Sequence, residues 1–197
     1  MLASKEIRWF FEKENKEITK WFLKKNLTIT TTKPRTDYYK KLNQDNLYIK
    51  LCEGTIEIKE RIGKITKKQM GKFAYGFIEN CVKWSFNVKL EDLQTKEIIY
   101  DENPEWIAVT KNRIGLKITH DANGNYLFLP TTDCVDYGCH IEYARIQANG
   151  KFLYSFGLEW FGDKYIEIDT TLIDEITNTS ILGCLESFGY AEFLKRL

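Results

Sequence analysis

Residues 46–61 read Asn-Leu-Tyr-Ile-Lys-Leu-Cys-Glu-Gly-Thr-Ile-Glu-Ile-Lys-Glu-Arg. Two alternating runs meet at Glu53-Gly54, where the glycine lets the backbone turn back beside itself. We therefore predict an antiparallel hairpin. Strand side chains alternate with a period of two, so this hairpin has one apolar face and one densely charged face. The function of the protein depends on whether this charged face lies in water or surrounds a ligand.

Several other stretches show the same alternation and are predicted to be strands. They are residues 5–12, 35–42, 80–90, 105–119, 126–129, 140–147 and 151–161. The last two flank Ala148-Asn149-Gly150, a tight-turn signal because Asn-Gly readily takes positive φ angles. Together with the first hairpin, these stretches give about seven to nine strands.

Three segments carry the helical period, and we predict that the two at the end of the chain cap or flank the sheet. They are residues 14–25, with Asn15 as a possible N-cap, and residues 169–185 and 187–197 at the end of the chain. Residues 27–32 are rich in threonine, which favours extended backbone. Residues 63–76 show no period, which is typical of a long connection or a poorly ordered excursion, and we make no firm prediction there.

Composition favours a single domain over residues 1–197. Of the 197 residues, 43% are hydrophobic and 14% aromatic, which is enough for a sizeable core. Lysine and arginine number 29 against 28 aspartates and glutamates, so the net charge is only +1. This balance gives no global reason to bind nucleic acid or a membrane. Any site for a polyanion must therefore be local.

The five cysteines predict free thiols rather than a disulfide framework. Their number is odd and the chain has no C-x-x-C pair, which also argues against a zinc ribbon. Cys134, Cys139 and His140 lack the spacing and the fourth ligand of a structural zinc site. The charged N-terminal segment and the lack of an apolar run of about 18 residues predict a soluble, cytoplasmic protein.

Strands that are apolar on one side and ionic on the other fit a closed barrel lined by charge, in an α+β fold that is mainly β. Enclosed cations need an anion of high charge, and phosphates meet that need. The candidate phosphate-binding residues are Lys50, Lys59, Arg61, Lys83, Lys111 and Arg113. The candidate oxygen ligands for Mg²⁺ or Mn²⁺ are Glu6, Glu57, Glu142 and Glu159. Spacing alone favours the plainer alternative, in which the ionic faces lie in water.

Several of these features follow one another in a characteristic order. They are the first-strand acid Glu6, a helix, the element Arg35-Thr36-Asp37-Tyr38-Tyr39, the basic hairpin, the strand Lys111-Asn112-Arg113 and the late acidic strand Phe156-Gly157-Leu158-Glu159. In this order they resemble the triphosphate tunnel metalloenzymes, the CYTH superfamily named after adenylate cyclase and thiamine triphosphatase. The resemblance spans most of the chain.

The resemblance implies an eight-stranded antiparallel barrel whose tunnel, lined by lysine and arginine, holds a triphosphate. It also implies carboxylates that bind a divalent metal. The phosphate contacts that it implies are Lys50, Lys59, Arg61, Lys111 and Arg113, and the metal ligands are Glu6 and Glu159.

The first strand departs from the family signature E-x-E-x-K, since it reads Glu6-Ile7-Arg8-Trp9-Phe10. A base replaces the second acid, and an aromatic residue replaces the lysine. Because two metal ions need several carboxylates to offset their charge, this change opposes the usual metal site.

We therefore predict a CYTH-like barrel that binds a nucleotide or an inorganic polyphosphate. If it is an enzyme, it is a metal-dependent hydrolase of a phosphoanhydride bond. The first alternative is a non-catalytic binding module of the same fold, which the altered first strand favours. The second is a nucleic-acid or protein interaction domain that uses basic strands on an open sheet, although the charge balance does not favour nucleic acid.

Overall fold

The computed structural model describes residues 2–100 and 103–197, which form nine strands, four α-helices and one 3₁₀ turn. The strands are β1 (Leu2–Phe11), β2 (Arg35–Lys40), β3 (Leu47–Cys52), β4 (Thr55–Gln69), β5 (Tyr75–Asn87), β6 (Trp106–His120), β7 (Tyr126–Pro130), β8 (Gly138–Ala148) and β9 (Lys151–Phe161). The helices are α1 (Lys16–Lys24), α2 (Leu93–Tyr100), α3 (Thr170–Thr177) and α4 (Tyr190–Arg196).

Eight of these strands close into an antiparallel barrel. Their order is β2-β3-β4-β5-β1-β9-β8-β6, and β2 pairs with β6 to complete the circle. β7 lies outside the circle, paired with the end of β6. The predicted fold class, a mainly β α+β protein built on an eight-stranded antiparallel barrel, is therefore confirmed.

The hairpin predicted over residues 46–61 is formed by β3 and β4. Glu53 and Gly54 have φ angles of 47° and 75°, the positive values that a two-residue turn needs. The charged face of β4, carried by Glu57 and Lys59, lines the interior of the barrel. The alternation therefore identified the inner face of this hairpin correctly.

An apolar core lies between the outer face of the barrel and the helices α1 and α3. Ile7 and Trp9 of β1 are 1% and 0% exposed because they point outward into this core. Helix α1 begins after Asn15, whose side chain accepts hydrogen bonds from two backbone N–H groups of the first turn, as predicted. Ile18 and Phe22 of this helix complete the contact. β1 thus turns its apolar side to the helices and its ionic side inward.

Helix α4 closes one end of the barrel. Its Phe193 stacks on Phe10 of β1 with ring centroids 4.5 Å apart, and Phe188 stacks on Phe10 at 4.9 Å. Tyr190 of the same helix stacks on Tyr39 of β2 at 5.9 Å. These rings belong to a second core inside the barrel. The barrel interior is therefore apolar at this end and ionic beyond it.

Residues 63–76, whose pattern left both a long connection and a poorly ordered excursion open, belong largely to β4 and β5, which extend into this region as a two-stranded ribbon. A register shift between Ile62 and Thr66 interrupts the pairing, which then continues to Gln69. The residues of β4 beyond the shift are exposed on both faces. Such a ribbon lacks the period-two pattern that reveals a half-buried strand.

Three shorter segments also differ from the predictions. Residues 27–32 contain a 3₁₀ turn at Ile29–Thr31 instead of extended backbone, and α2 was not predicted. Helix α3 ends at Thr177 rather than continuing to residue 185, and Asn178 after it has a φ angle of 50°. The helix therefore ends at Thr177, because a residue with a positive φ angle cannot continue a right-handed helix.

The cysteines carry no disulfide. All five are free, as predicted, and Cys52, Cys81 and Cys139 are buried. Among the helices of the described ranges, none is both long enough and apolar enough to cross a membrane.

Candidate functional site

The barrel encloses a cavity of about 390 Å³ beyond its apolar end. The cations that line it are Arg8, Arg35, Lys50, Lys59, Lys83, Lys111 and Arg113. The carboxylates that line it are Glu6, Glu53, Glu57, Glu142 and Glu159. Five of the six predicted phosphate-binding residues and all four predicted metal ligands therefore lie around one cavity.

Arg61 is the predicted phosphate-binding residue that lies apart from this cavity. Its guanidinium is 3.0 Å from Glu79 and 3.1 Å from Asp45. It lines a separate void of about 10 Å³ next to Tyr190 of α4. The alternation along β4 predicted that Arg61 lies on the same face as Lys59. Its charge is already compensated by Glu79 and Asp45, so it is not available to a phosphate group in the cavity.

Lys59 lies between two of the predicted metal ligands. Its Nζ donates hydrogen bonds to Glu6 Oε2 at 2.6 Å and to Glu159 Oε1 at 2.8 Å. The two carboxylates meet because Glu6 and Glu159 are direct partners in the β1–β9 register. Burial would raise the pKa of Glu159, but the ammonium of Lys59 lowers it to about 2. Burial would lower the pKa of Lys59, but the two carboxylates hold it above its ordinary value.

Arg8 occupies the position where the signature of the triphosphate tunnel metalloenzymes, which the sequence resembles, has an acid. Its guanidinium donates to Glu142 Oε1 at 2.9 Å and to Ser155 Oγ at 3.3 Å. Gly157 leaves room for it, since a Cβ atom there would lie 2.8 Å from Arg8 Cζ. Arg113 approaches the other oxygen of Glu142 at 3.4 Å. Burial would raise the pKa of Glu142, but these two cations lower it.

Asp37 brings three cations together at the wall of the cavity. It is 0% exposed and lies 2.9 Å from Arg35, 3.1 Å from Lys111 and 4.0 Å from Lys50. Burial would raise its pKa, but Lys111 and the other two cations lower it strongly. The sequence analysis gave Asp37 no role of its own. Asp37 alternates with Arg35 and Tyr39 along β2, so the three side chains lie on the same face of the strand, and this pattern could have indicated that Asp37 belongs to the site.

Two long ion pairs lie at the open side of the cavity. Lys83 Nζ is 3.8 Å from Glu57, and Arg113 Nη1 is 3.4 Å from Glu142. The side chains of Lys83 and Arg113 are 32% and 35% exposed, against 5% for Lys59. These two cations are therefore accessible to a ligand without disruption of the buried pairs.

A second cavity of about 500 Å³ adjoins the first at this side. The residues that line both cavities are Arg35, Glu53, Lys111, Arg113 and Glu142. The outer cavity is also lined by residues that carry no full charge, among them Pro34, Thr131 and His140. A ligand larger than the inner cavity therefore has room to extend outward.

Three tyrosines form the boundary between the ionic cavity and the apolar end. The rings of Tyr39 and Tyr48 lie 5.5 Å apart, and that of Tyr190 lies 5.9 Å from Tyr39. The buried hydroxyl of Tyr190 has no hydrogen-bond partner among the described residues. Sequence reasoning missed Tyr190 because no local pattern shows that the last helix enters a barrel.

The carboxylates of the described residues do not form a metal site free of competing cations. Each of the four predicted ligands has a lysine or arginine within 4.0 Å. A related buried group, Glu6, Glu79 and Cys81, has ligand atoms within 4.8 Å of one another. In that group Lys59 pairs with Glu6 and Arg61 with Glu79. These residues do not fit a resident Mg²⁺ or Mn²⁺ ion, which needs uncommitted anionic oxygens.

The fold and the cavity define a class of protein, a closed antiparallel barrel with an enclosed, ion-paired interior rich in lysine and arginine. No protein-family model matches the chain, and a comparison with curated protein sequences finds no match. The resemblance to the triphosphate tunnel metalloenzymes therefore stays a prediction from the order of the residue patterns.

Proposed function

We propose that the protein binds a triphosphate-containing polyanion, either a nucleotide or an inorganic polyphosphate, in the barrel cavity. The observation that carries this proposal is the convergence of seven lysines and arginines on one cavity of about 390 Å³. Five lining carboxylates and the buried Asp37 leave the cationic set in excess. Charge enclosed by low-dielectric walls attracts an anion of high charge more strongly than a monoanion.

Lys83 and Arg113 are the residues that we expect to meet the anion first. Their ion pairs are long and partly exposed, so exchanging a carboxylate partner for a phosphate costs little. The two side chains also complement each other. The guanidinium of Arg113 presents a planar fork to two phosphate oxygens, whereas Lys83 supplies a point charge.

Binding without hydrolysis is the version of this function that the ion pairs favour. Lys59 is already hydrogen-bonded to both Glu6 and Glu159, and Arg8 is already paired with Glu142. A metal-dependent hydrolase would need an ion that displaces these cations from their carboxylates. Hydrolysis is therefore the second candidate, and it is supported by the sequence resemblance alone.

Thermal unfolding in the presence of tripolyphosphate tests the binding proposal. We expect a higher Tm than with orthophosphate at the same ionic strength, because a ligand stabilises the folded state that binds it. The Lys83→Gln/Arg113→Gln variant should lose this rise. The matched control, Lys20→Gln/Lys24→Gln on the exposed side of α1, should keep it. Equal stabilisation by the two salts would refute the proposal.

Phosphate release separates the binder from the hydrolase. Tripolyphosphate and nucleoside triphosphates are incubated with the protein and Mg²⁺ or Mn²⁺, with an EDTA control. We expect no release above the rate without protein. Release that needs the metal and disappears in Glu159→Gln, while the Tm rise persists, would establish the hydrolase instead.

A further inference from the structure

We propose that the outer edge of β4 is a docking site for an acidic, extended segment of another protein, which adds to the sheet as one more strand. The site is the free edge of β4, residues 62–69. None of these residues lines the barrel cavity, and the proposed occupant is a polypeptide rather than a phosphate compound. The inference therefore does not rest on triphosphate binding.

β4 loses its neighbour on one side before residue 62. β3 pairs with β4 from Thr55 to Glu60, and the N–H of Arg61 donates to the carbonyl of Asn46 at 2.7 Å. Beyond that point β4 continues to Gln69, and within residues 2–100 and 103–197 its strand partner there is β5 alone. All of residues 62–69 are exposed. They therefore form an open edge of the sheet.

The main-chain groups of Lys67 and Gln69 point away from β5. The N–H of Met70 donates to the carbonyl of Ala74 at 2.8 Å, so these two residues form a hydrogen-bonded pair. In an antiparallel ladder, hydrogen-bonded pairs alternate with pairs that are not bonded to each other. Lys67 and Gln69 lie an odd number of positions before Met70 and belong to the second kind. Their N–H and C=O groups are therefore directed to the position of an added strand.

The corresponding side of β5 is already covered by the chain itself. The N–H of Tyr75 donates to the carbonyl of Leu182 at 2.8 Å. The N–H of Phe77 donates to Ser187 Oγ, also at 2.8 Å. The segment 182–187 thus satisfies one edge of the two-stranded ribbon. The other edge, on β4, stays open to a partner.

The free edge carries positive charge without compensation. Residues 62–69 read Ile-Gly-Lys-Ile-Thr-Lys-Lys-Gln, which includes three lysines and no acid. In the part of the chain that the structure describes, Lys64, Lys67 and Lys68 have no carboxylate within 4.0 Å. Opposite charges on neighbouring strands stabilise a sheet. An added strand that carries glutamate or aspartate therefore complements this edge.

The geometry favours a polypeptide over a nucleic acid as the occupant. Lys67 and Lys68 are adjacent in β4, so their side chains point to opposite faces of the ribbon. An added strand also directs its side chains to both faces, whereas a phosphate backbone that lies on one face meets only one of these lysines. Ile62 and Ile65, 45% and 46% exposed, offer apolar contacts to the side chains of a peptide. The net charge of +1 gives no long-range attraction for nucleic acid.

The same features exclude a second copy of this chain as the occupant. Lysines and bulges on an edge strand prevent pairing between identical edges. The free edge has both, since the register with β5 shifts between Ile62 and Thr66. Two copies would bring the three lysines of one edge against the three of the other. The charges that repel a copy attract an acidic strand, so they select the partner.

Fluorescence anisotropy with a labelled ten-residue peptide of alternating glutamate and valine tests the inference. We expect saturable binding that weakens as salt is added. A glutamate–proline peptide of the same length and charge should bind at least tenfold more weakly, because proline lacks the N–H that a ladder needs. Equal binding of the two peptides, or of a single-stranded oligonucleotide, would show a general affinity for polyanions and overturn the inference.

Matched variants locate the binding on the protein. Lys64→Gln/Lys67→Gln/Lys68→Gln should weaken the affinity for the glutamate–valine peptide at least tenfold. Two controls should keep it, namely Lys16→Gln/Lys20→Gln/Lys24→Gln, at exposed positions of α1, and the cavity variant Lys83→Gln/Arg113→Gln. Loss of peptide binding in the cavity variant would place the peptide in the barrel and overturn the inference.

Amide hydrogen exchange measured by NMR identifies the mode of binding in the wild-type protein. With saturating peptide, exchange at Lys67 and Gln69 should slow at least tenfold, because their N–H groups gain acceptors. Lys68, whose N–H faces β5, is the internal control and should change less. Binding without this protection would exclude strand addition. A dimer of the free protein that disappears in the triple variant of the edge would show that the partner is a second copy instead.

Discussion

Lys59 and Glu6 form a buried ion pair across the inner wall of the barrel, with Nζ 2.6 Å from Oε2 and side chains 5% and 6% exposed. The pattern of the sequence predicted one of them as a phosphate contact and the other as a metal ligand. In the folded chain each neutralises the other. The free energy of this arrangement depends on both partners, because a buried charge that loses its partner keeps its desolvation penalty.

Removing Lys59 should therefore destabilise the protein strongly. In Lys59→Met, Glu6 and Glu159 lose their shared cation, and we expect the free energy of unfolding to fall by about 3–5 kcal/mol. Urea denaturation measures this change. Adding Glu6→Gln to Lys59→Met should restore part of the loss, since one of the two uncompensated charges is removed. The control Lys20→Met, whose ion pair is exposed, should cost at most about 1 kcal/mol.

Acid should weaken the barrel through Glu159. Its pKa is about 2 in the folded protein, below the ordinary value of 4.5. A carboxylate with a lowered folded-state pKa stabilises the protein above its unfolded-state pKa, and this contribution disappears as the pH falls through the folded-state pKa. We expect the free energy of unfolding to fall between about pH 4.5 and pH 2.

The variant Glu159→Gln tests whether Glu159 causes this fall in the free energy of unfolding at low pH. Urea denaturation at several pH values should show a shallower decline for Glu159→Gln than for the wild type. Glu91→Gln, a change at an exposed glutamate outside the barrel, should leave the decline unchanged. Parallel curves for the wild type and Glu159→Gln would show that other groups dominate acid unfolding.

Gly157 should be required because of Arg8. A methyl group at Gly157 would lie 2.8 Å from Arg8 Cζ and would push the guanidinium away from Glu142. We expect Gly157→Ala to lower the free energy of unfolding by about 1–3 kcal/mol, the usual cost of overpacking. In the Arg8→Ala background the same change should cost less, because the clash is gone. An equal cost in both backgrounds would exclude this explanation.

The sequence predicted the faces of the strands better than their partners. Alternation in residues 46–61 was sufficient to separate the ionic face that carries Lys59 from the apolar face, although the barrel hypothesis was needed to turn the ionic face inward. It could not show that Lys59 meets Glu6 and Glu159, which are 53 and 100 positions away. Such pairs depend on strand order and register, which the closed circle of eight strands determines.

Two further parts of the structure had no periodic signal. The ribbon formed by the ends of β4 and β5 is exposed on both faces of β4, so its polarity resembles that of a loop. The apolar stripe of α4 predicted a helix that caps or flanks the sheet, but it did not show that the side chains of this helix enter the barrel. Tyr190 and Phe193 therefore became part of the interior through tertiary packing that the local pattern did not show.

Introducing the E-x-E-x-K signature of the triphosphate tunnel metalloenzymes, which the sequence resembles, into the first strand should destabilise the protein, because Phe10 belongs to the closed end of the barrel. Phe10 is 6% exposed and stacks on Phe193 at 4.5 Å, so Phe10→Lys removes this contact and buries an ammonium among aromatic rings. Arg8→Glu would place a second acid beside Glu142.

We expect the Arg8→Glu/Phe10→Lys variant to lose at least about 3–5 kcal/mol of its free energy of unfolding, the typical cost of deleting a buried phenylalanine. Urea denaturation measures the loss, and Phe152→Lys, at a position 55% exposed, is the control. A double variant that stays within about 1 kcal/mol of the wild type and gains Mg²⁺-dependent phosphate release would show instead that Arg8 and Phe10 suppress a latent hydrolase.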